Sequence, residues 1–194
     1  MTFYVPQAGI DAILDNIALS TMGATCSASP TTWYNACRPD LWVINTVYSI
    51  GDVRHSGNPG FVYECIIGGT SGAFEPAWGT AQDEEFVEGP DTLRWKTHEN
   101  FALCNVTYVP GDFTIATVST PDPGRELTIA GIAGVLTHTT GDVTHTAFFI
   151  DVTKELTYIA EAETTLVSNN TLTAGRLTVF QESVLLIKFP KELV

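Results

Sequence analysis

Five aromatic side chains between residues 42 and 95 have the types and spacing best suited to ligand binding. They are Trp42, Tyr48, Tyr63, Trp78 and Trp95. An exposed indole or phenol ring can stack on the apolar C–H face of a sugar while neighbouring polar groups fix its orientation. The competing interpretation is a packed core, because a unit of about 55 residues has little interior to bury. Trp78, which follows Glu75 and Pro76, is the best placed of the five for a surface role.

Residues that could catalyse a reaction do not form a recognisable set. No Gly-x-Ser-x-Gly nucleophile turn occurs, which disfavours Ser-His-acid chemistry. His138 and His145 flank Asp142, but a histidine on an alternating strand is more often hydrogen-bonded to a neighbour, and we expect a structural role for His145. The sequence therefore predicts no catalytic residue, no metal site and no cofactor, and we expect a protein that is not an enzyme.

A glycosidase or depolymerase is the enzymatic alternative. It needs two carboxyl groups held at a set separation in a cleft. The acidic run of Asp83, Glu84, Glu85 and Glu88 is instead typical of a solvated loop, because it lacks the ligand spacing of an EF-hand calcium site.

The charge balance disfavours one class of partner. The 194 residues include 9 Lys and Arg against 22 Asp and Glu, for a formal net charge of -13. Nucleic acid is not a predicted partner, because sequence-independent phosphate binding needs clustered basic side chains. No stretch approaches the roughly 20 apolar residues that cross a bilayer, and no export signal is recognisable at the N-terminus. We therefore expect that the protein is made in the cytoplasm and does not insert into a membrane.

Four cysteines leave two interpretations open. Cys26, Cys37, Cys65 and Cys104 have no Cys-x-x-Cys spacing and no nearby histidine cluster, which disfavours zinc. Cys26 and Cys37 flank a loop that a disulfide could close. The alternative is four buried free thiols.

The positioning elements are one helix followed mainly by strands. Apolar residues recur at helical spacing from Gln7 to about Leu19. Residues 27–40 have a loop composition, and short β-like runs separated by Pro-Gly, Gly-Asp and Asn-Asn turns follow residue 95. These runs are 102–109, 113–118, 126–129, 143–151, 156–161 and 176–187. The pattern predicts a mainly β fold: a β-sandwich with one N-terminal helix and an inserted small antiparallel β-module.

Alternation along the later strands predicts which side chains face the core. The residues expected to point inward are Leu127, Ile129, Val143, Ala147 and Phe149. The threonines between them, Thr128, Thr144 and Thr146, suit the solvent side of a pleated sheet.

A resemblance to known proteins is carried by the order of motifs in the aromatic stretch. Trp42 and Tyr48 precede Gly51-Asp52-Val53-Arg54, and Tyr63-Glu64-Cys65 leads to the Gly69-to-Trp78 stretch and to Leu93-Arg94-Trp95. This order resembles a small β-module of tailed-bacteriophage virion proteins and, more distantly, the chitin-binding type of carbohydrate-binding module. By this resemblance Trp42, Tyr63 and Trp95 belong to the module core.

The C-terminal part carries a second resemblance. Residues 141–151, then Leu156 and the polar turn 168–172, are similar to a β-domain of phage structural proteins in which a Thr-His strand leads into a short apolar strand ending in Asp. Together with the N-terminal helix this part would form one discontinuous domain, residues 1–40 plus 99–194. The inserted module would then be residues 41–98.

The two resemblances together imply a non-enzymatic structural protein of the phage virion, made in the host cytoplasm. A capsid decoration or head-spike role is expected, and a tail or fibre component or a carbohydrate-binding adhesion protein is the alternative. The implied partners are other virion proteins of the capsid or tail and further copies of the same chain, in a trimer or another ring. Host surface polysaccharide is the ligand implied for a projecting module.

Overall fold

The computed structural model describes residues 7–57, 59–88, 92–118, 124–161, 171–172, 174–180 and 183–188. Two helices and seventeen strands occur within these ranges, so the fold is mainly β, as the sequence predicts. In chain order they are α1 Gln7–Ala18, β1 Met22–Cys26, α2 Trp33–Ala36, β2 Val47–Tyr48, β3 Val53–Arg54, β4 Phe61–Ile67, β5 Gly69–Thr70, β6 Glu85–Val87, β7 Arg94–Glu99, β8 Ala102–Thr107, β9 Phe113–Val118, β10 Gly124–Ile129, β11 Ile132–Leu136, β12 Gly141–Asp142, β13 His145–Ile150, β14 Glu155–Glu161, β15 Thr171–Leu172, β16 Leu177–Phe180 and β17 Ser183–Lys188.

The strand β1 lies inside an antiparallel sheet of order β14-β13-β1-β8, called here the main sheet. Its pairing with β13 runs from Met22 opposite Phe149 to Cys26 opposite His145. On its other side β1 pairs with β8, and a bulge separates Thr25 from Cys26. The strand β1, near the N-terminus, thereby lies between two strands from much later in the sequence, β8 and β13.

One face of the main sheet packs on the first hydrophobic core. The helix α1 contributes Leu14 and Ile17, which are fully buried. Opposite the main sheet lies the antiparallel sheet β17-β10-β9, which contributes Phe113, Leu127 and Ile129 to the same core. Two sheets with a shared core and a helix between their edges give the sandwich-like arrangement expected from the sequence.

An ion pair fixes the helix to the second sheet. Arg125 on β10 donates from Nε to Oδ1 of Asp11 at 2.7 Å, and from a terminal nitrogen to Oδ2 at 3.3 Å. This two-point contact of a guanidinium with a carboxylate is the geometry in which such pairs are most specific.

The opposite face of the main sheet packs on a second core. Ala24, Cys26, Ala147 and Phe149 point to this side, where they meet α2 and two valines of the inserted segment, Val53 and Val62. The strands β1 and β13 are therefore buried on both faces. This corrects the expectation for Thr146, which is 3% exposed and not on a solvent face, because β13 has protein on each side.

Three asparagine side chains attach the α2 region to the strands behind it. Asn35 Nδ2 donates to the carbonyl oxygen of Glu99, and Asn105 Nδ2 donates to that of Ala36. Asn100 Nδ2 donates to the carbonyls of Tyr34 and Cys37 at 2.6 and 2.7 Å. These bonds satisfy carbonyls that a four-residue helix leaves unpaired.

The segment 41–98 forms two small sheets, β2-β5 and β3-β4-β7-β6. Within the described ranges, every strand ladder of this segment is internal to it. Contact with the rest of the chain includes the second core, the ring of Tyr34 stacked on His98 at 3.8 Å, and Lys154, whose Nζ donates to the carbonyl of Gly51 at 2.6 Å. Because that core crosses the predicted domain boundary, independent folding of the two parts stays a prediction.

The structure agrees with most predicted elements and differs at several. The helix α1 and strands close to the first five predicted runs are present. The strands β1, β11, β12 and β15 and the short helix α2 have no counterpart in the sequence prediction. The predicted run 176–187 contains two strands, with 181–182 outside the described residues. Most of the polar turn 168–172 also lies outside the described residues.

The four cysteines are free thiols and all are buried, so the disulfide between Cys26 and Cys37 is not formed. Burial and, to a smaller extent, the neighbouring Cys104 raise the pKa of the Cys26 thiol to about 12. Neither condition favours a thiolate, so these side chains pack as small apolar groups.

No helix within the described ranges is both long enough and apolar enough to cross a membrane.

The close approach of β1 to the aromatic ring of Tyr108 generates the first prediction. A Cβ at Gly23 would lie 2.7 Å from Tyr108 Cε2 and 3.2 Å from Val106 Cγ1. We expect Gly23→Ala to lower the free energy of unfolding by about 1–3 kcal/mol, because overpacking displaces a core ring. Urea denaturation of the purified protein measures the loss.

The control for this substitution is Gly57→Ala, since a Cβ there meets no atom within 4 Å. Equal urea midpoints for the two variants would contradict this prediction, because they would show that a methyl group fits between β1 and Tyr108.

Candidate functional site

The aromatic cluster of the inserted segment begins with the inward faces of β4 and β7. Trp95 on β7 lies opposite Cys65 on β4 and Phe86 on β6, so the three side chains share one face of the sheet. Tyr63, two residues before Cys65, points to the same side. Tyr48 of β2 closes the cluster with its ring centroid 5.1 Å from that of Trp95.

Three of the five predicted binding residues are fully enclosed in this cluster. Trp95 and Tyr63 have no exposed surface and Tyr48 has 1%. Their rings cannot stack on a sugar as the side chains stand. For these three residues the packed-core interpretation is confirmed.

A buried carboxylate organises the tryptophans. Glu88, only 2% exposed, accepts hydrogen bonds at Oε2 from the indole nitrogens of Trp95 at 2.7 Å and Trp42 at 3.2 Å. Its other oxygen accepts from the backbone N–H of Gly72 at 2.9 Å. A buried carboxylate is costly unless such donors replace its water, and here three donors from three parts of the segment do so.

The burial of Glu88 corrects the interpretation of residues 83–88 as a solvated acidic loop. Residues Glu85–Val87 form the strand β6. The side chain of Glu84 accepts from the backbone N–H groups of Thr80 and Ala81, and Asp83 pairs with Lys96 at 2.7 Å. The run mixes strand, turn and core positions because alternate residues along β6 face opposite sides of the sheet.

Trp78 occupies the rim of the cluster. Its ring is tilted against Tyr63 at a centroid distance of 4.2 Å, and its edge contacts with Trp42 and Trp95 lie at 6.2 and 5.8 Å. The indole nitrogen donates to Glu75 Oε1 at 2.6 Å on the exposed side. Trp78 and Trp42 are both half-buried, so they are the two predicted residues that retain accessible ring surface.

An aromatic residue outside the predicted set is far more exposed than either tryptophan. Phe74 is 86% exposed and lies in the loop between Gly72 and Glu75. The signal in the sequence was its place in a loop bounded by Gly and Pro, where no strand alternation requires an inward ring.

Large apolar side chains are exposed on segment 41–98. Eight of the sixteen that are exposed in the described ranges belong to this segment. They are Leu41, Val43, Ile44, Val47, Ile50, Ile67, Phe74 and Val87. Exposed apolar side chains indicate an interaction site where several of them lie together.

The register of the second small sheet places some of these residues in a row. Val87 and Ile67 both lie directly opposite Arg94, on its two sides. Directly paired residues of an antiparallel sheet point to the same face, so the row lies on the side away from Trp95. The arrangement provides an apolar strip interrupted by one cation, which suits contact with another protein surface.

The histidines singled out in the sequence lie apart from this region. The ring of His145 hydrogen-bonds the hydroxyl of Thr144 at 2.9 Å, as expected for a sheet side chain. Asp142 hydrogen-bonds Thr171 on the neighbouring strand β15. No group of three or more His, Cys, Asp or Glu side chains in the described ranges has metal-binding geometry.

No protein-family model, curated protein or solved structure matches this chain.

The buried carboxylate generates the second prediction. We expect Glu88→Gln to lower the free energy of unfolding by about 2 kcal/mol, because the amide has one acceptor oxygen for three donors. Intrinsic tryptophan fluorescence during urea denaturation reports both the loss and the changed surroundings of Trp95.

Glu85→Gln is the matched control, since Glu85 is exposed on β6, three residues before Glu88. We expect its midpoint within about 0.5 kcal/mol of the unsubstituted protein. A Glu88 variant as stable as this control would contradict the role given to the carboxylate.

Proposed function

We propose that the chain is a non-enzymatic structural component of a tailed-phage particle, built into the head as a decoration or spike subunit. A tail or fibre position is the alternative within the same class. The observation that carries the proposal is the concentration of exposed aliphatic side chains on segment 41–98. The order of motifs in that segment, which resembles the virion β-module, supports the same conclusion.

The apolar surface supports a protein partner because of the kind of side chain that it offers. Val47 and Ile50 are each 73% exposed, and neither can hydrogen-bond a ligand. Burial of such side chains stabilises an interface by about 25 cal/mol per Å² of apolar surface removed from water. A repeated particle multiplies that contribution over every copy, so modest contacts give stable attachment.

The net charge supports the same use. A formal charge of -13 keeps free subunits apart despite their apolar strip. It also favours attachment to a basic patch on a neighbouring virion protein. Copies of the chain that meet in a homo-oligomer would do so through the apolar strip, where Arg94 is the exposed charge between Ile67 and Val87.

Copy number tests the proposal directly. We expect purified particles to contain this chain in tens to hundreds of copies, because virion parts repeat under symmetry. Quantitative mass spectrometry of density-purified particles measures it. Detection in infected-cell lysate with none in the particles would remove the structural assignment.

The exposed aliphatic side chains of segment 41–98 have their own test. We expect Val47→Glu to reduce the number of copies per particle at least ten-fold, because a carboxylate must be desolvated at the interface. Val152→Glu is the matched control, since Val152 is 89% exposed on the turn between β13 and β14. Equal incorporation of the two variants would place the interface elsewhere.

Carbohydrate binding is the second candidate function, and the accessible part of Trp78 favours it. The exposed bond from its indole to Glu75 fixes the ring at the rim, and Phe74 lies four residues before it. A host-polysaccharide array separates this function from a purely structural one. We expect Trp78→Ala and Phe74→Ala to lose signal and Val152→Ala to keep it. Absence of signal for the unsubstituted protein would exclude the adhesion role.

A further inference from the structure

A small cavity lies at the seam between segment 41–98 and the main sheet. It has a volume of about 60 Å³. Its lining includes three basic side chains from three separate parts of the chain: Arg38 after α2, His55 after β3 and His138 after β11. No acidic side chain is among its described lining residues.

The guanidinium of Arg38 has neither an ion pair nor a hydrogen-bond partner within the described ranges. Three carboxylates, Asp40, Asp52 and Asp151, line a neighbouring pocket that Arg38 also borders, beyond salt-bridge range. Partial burial lowers the pKa of Arg38, so its charge has lost part of its hydration. A half-buried guanidinium in this state attracts an anion more strongly than one in open water.

The two imidazoles each have a nitrogen free to bind a ligand. His55 Nδ1 lies 2.7 Å from the carbonyl oxygen of Ser56. Because a carbonyl only accepts, that nitrogen carries the proton and Nε2 remains available. The described structure provides no hydrogen-bond partner for the ring of His138, although the ring is half-buried.

The pKa values of His55 and His138 are both lowered in this cavity. Burial, followed by the charges of Arg38 and His55, lowers the pKa of His138 to about 4. Burial and Arg38 also lower the pKa of His55, against the Ser56 carbonyl and Asp40, which raise it. Both rings are therefore neutral at pH 7 in the empty cavity, and a bound anion would favour their protonation.

Three basic side chains from separate parts of the chain line this cavity, and a bound negative group would be shared among them. We propose that this cavity binds a single oxyanion group: phosphate, sulfate or a carboxylate. Its volume of about 60 Å³ suits one such small group. This proposal is independent of the virion assignment.

The ligand would connect the two parts of the molecule. Arg38 and His138 come from outside segment 41–98 and His55 from inside it. An anion bridging them adds a charged contact to a boundary that the second core, Lys154 and the stacking of Tyr34 on His98 already cross. Bound ligand therefore stabilises the folded state by an amount that rises with the logarithm of its concentration above the dissociation constant.

The test is an NMR titration of the histidine ring protons with sodium phosphate at pH 6 and constant ionic strength. We expect saturable shifts and raised pKa values for His55 and His138. His98, stacked on Tyr34 at 3.8 Å and bonded to Glu64, and His145 serve as internal controls that stay constant. With sulfate, whose charge is the same at both pH values, we also expect the dissociation constant to fall several-fold from pH 8 to pH 5.5, since protonated rings bind the anion more tightly.

Arg38→Gln should raise the dissociation constant at least ten-fold, while Lys96→Gln, which removes a β7 lysine paired with Asp83, should leave it within two-fold. If Arg38→Gln does not fold, His138→Gln replaces it, with the same expectation for His55. Parallel titrations with sulfate and with glucuronate distinguish a free tetrahedral ion from a carboxylate borne on a larger molecule. Shifts absent with all three anions, or equal in Arg38→Gln and Lys96→Gln, would overturn the proposal.

Discussion

Burial of β1 on both of its faces is the constraint on which the rest of the structure depends. One face of the main sheet needs α1 and the sheet β17-β10-β9 to cover it, and the other needs α2 and the valines Val53 and Val62. A strand covered on both sides needs a small residue where a bulky side chain approaches it closely. Gly23 is that residue, because the Tyr108 ring leaves no space for a Cβ. The inserted segment is thus part of the packing that stabilises the sandwich, and its attachment to the main sheet is apolar as well as polar.

The elements that could be predicted are those whose own residues carry the signal. Leu14 and Ile17 recur at helical spacing, and Leu127 and Ile129 alternate with polar residues, so α1 and β10 follow from local sequence. The strand β1 has the sequence Met-Gly-Ala-Thr-Cys, which lacks the β-branched and aromatic alternation of a typical strand. Its small residues make sense only beside Tyr108 and Phe149, and those contacts join residues more than 80 positions apart.

The candidate site also has features that local sequence predicts and features that only the fold creates. That Tyr63 and Trp95 belong to a core follows from the small size of the segment, which needs large side chains to exclude water. The role of Glu88 could not be read from its neighbours, because an acidic run is usually solvated and only the fold brings the indoles of Trp42 and Trp95 to one carboxylate. Phe74 is not among the predicted binding residues, because the spacing of tryptophan and tyrosine is a stronger signal than one phenylalanine in a loop.

The use of aromatic rings in the core decides what the surface of the segment can offer. Glycan recognition needs exposed flat rings with polar groups beside them. Most of the rings in this segment pack against one another in the aromatic cluster. What remains outside is chiefly aliphatic, as in Val47, Ile50 and Ile67. Branched aliphatic side chains gain most from close contact with another packed protein surface, where shape complementarity replaces hydrogen bonding. Under the proposed structural role, the balance of side-chain types favours a protein over a sugar as the principal partner of segment 41–98. Phe74 and the half-buried rings of Trp42 and Trp78 are then its accessible aromatic surface among the described residues.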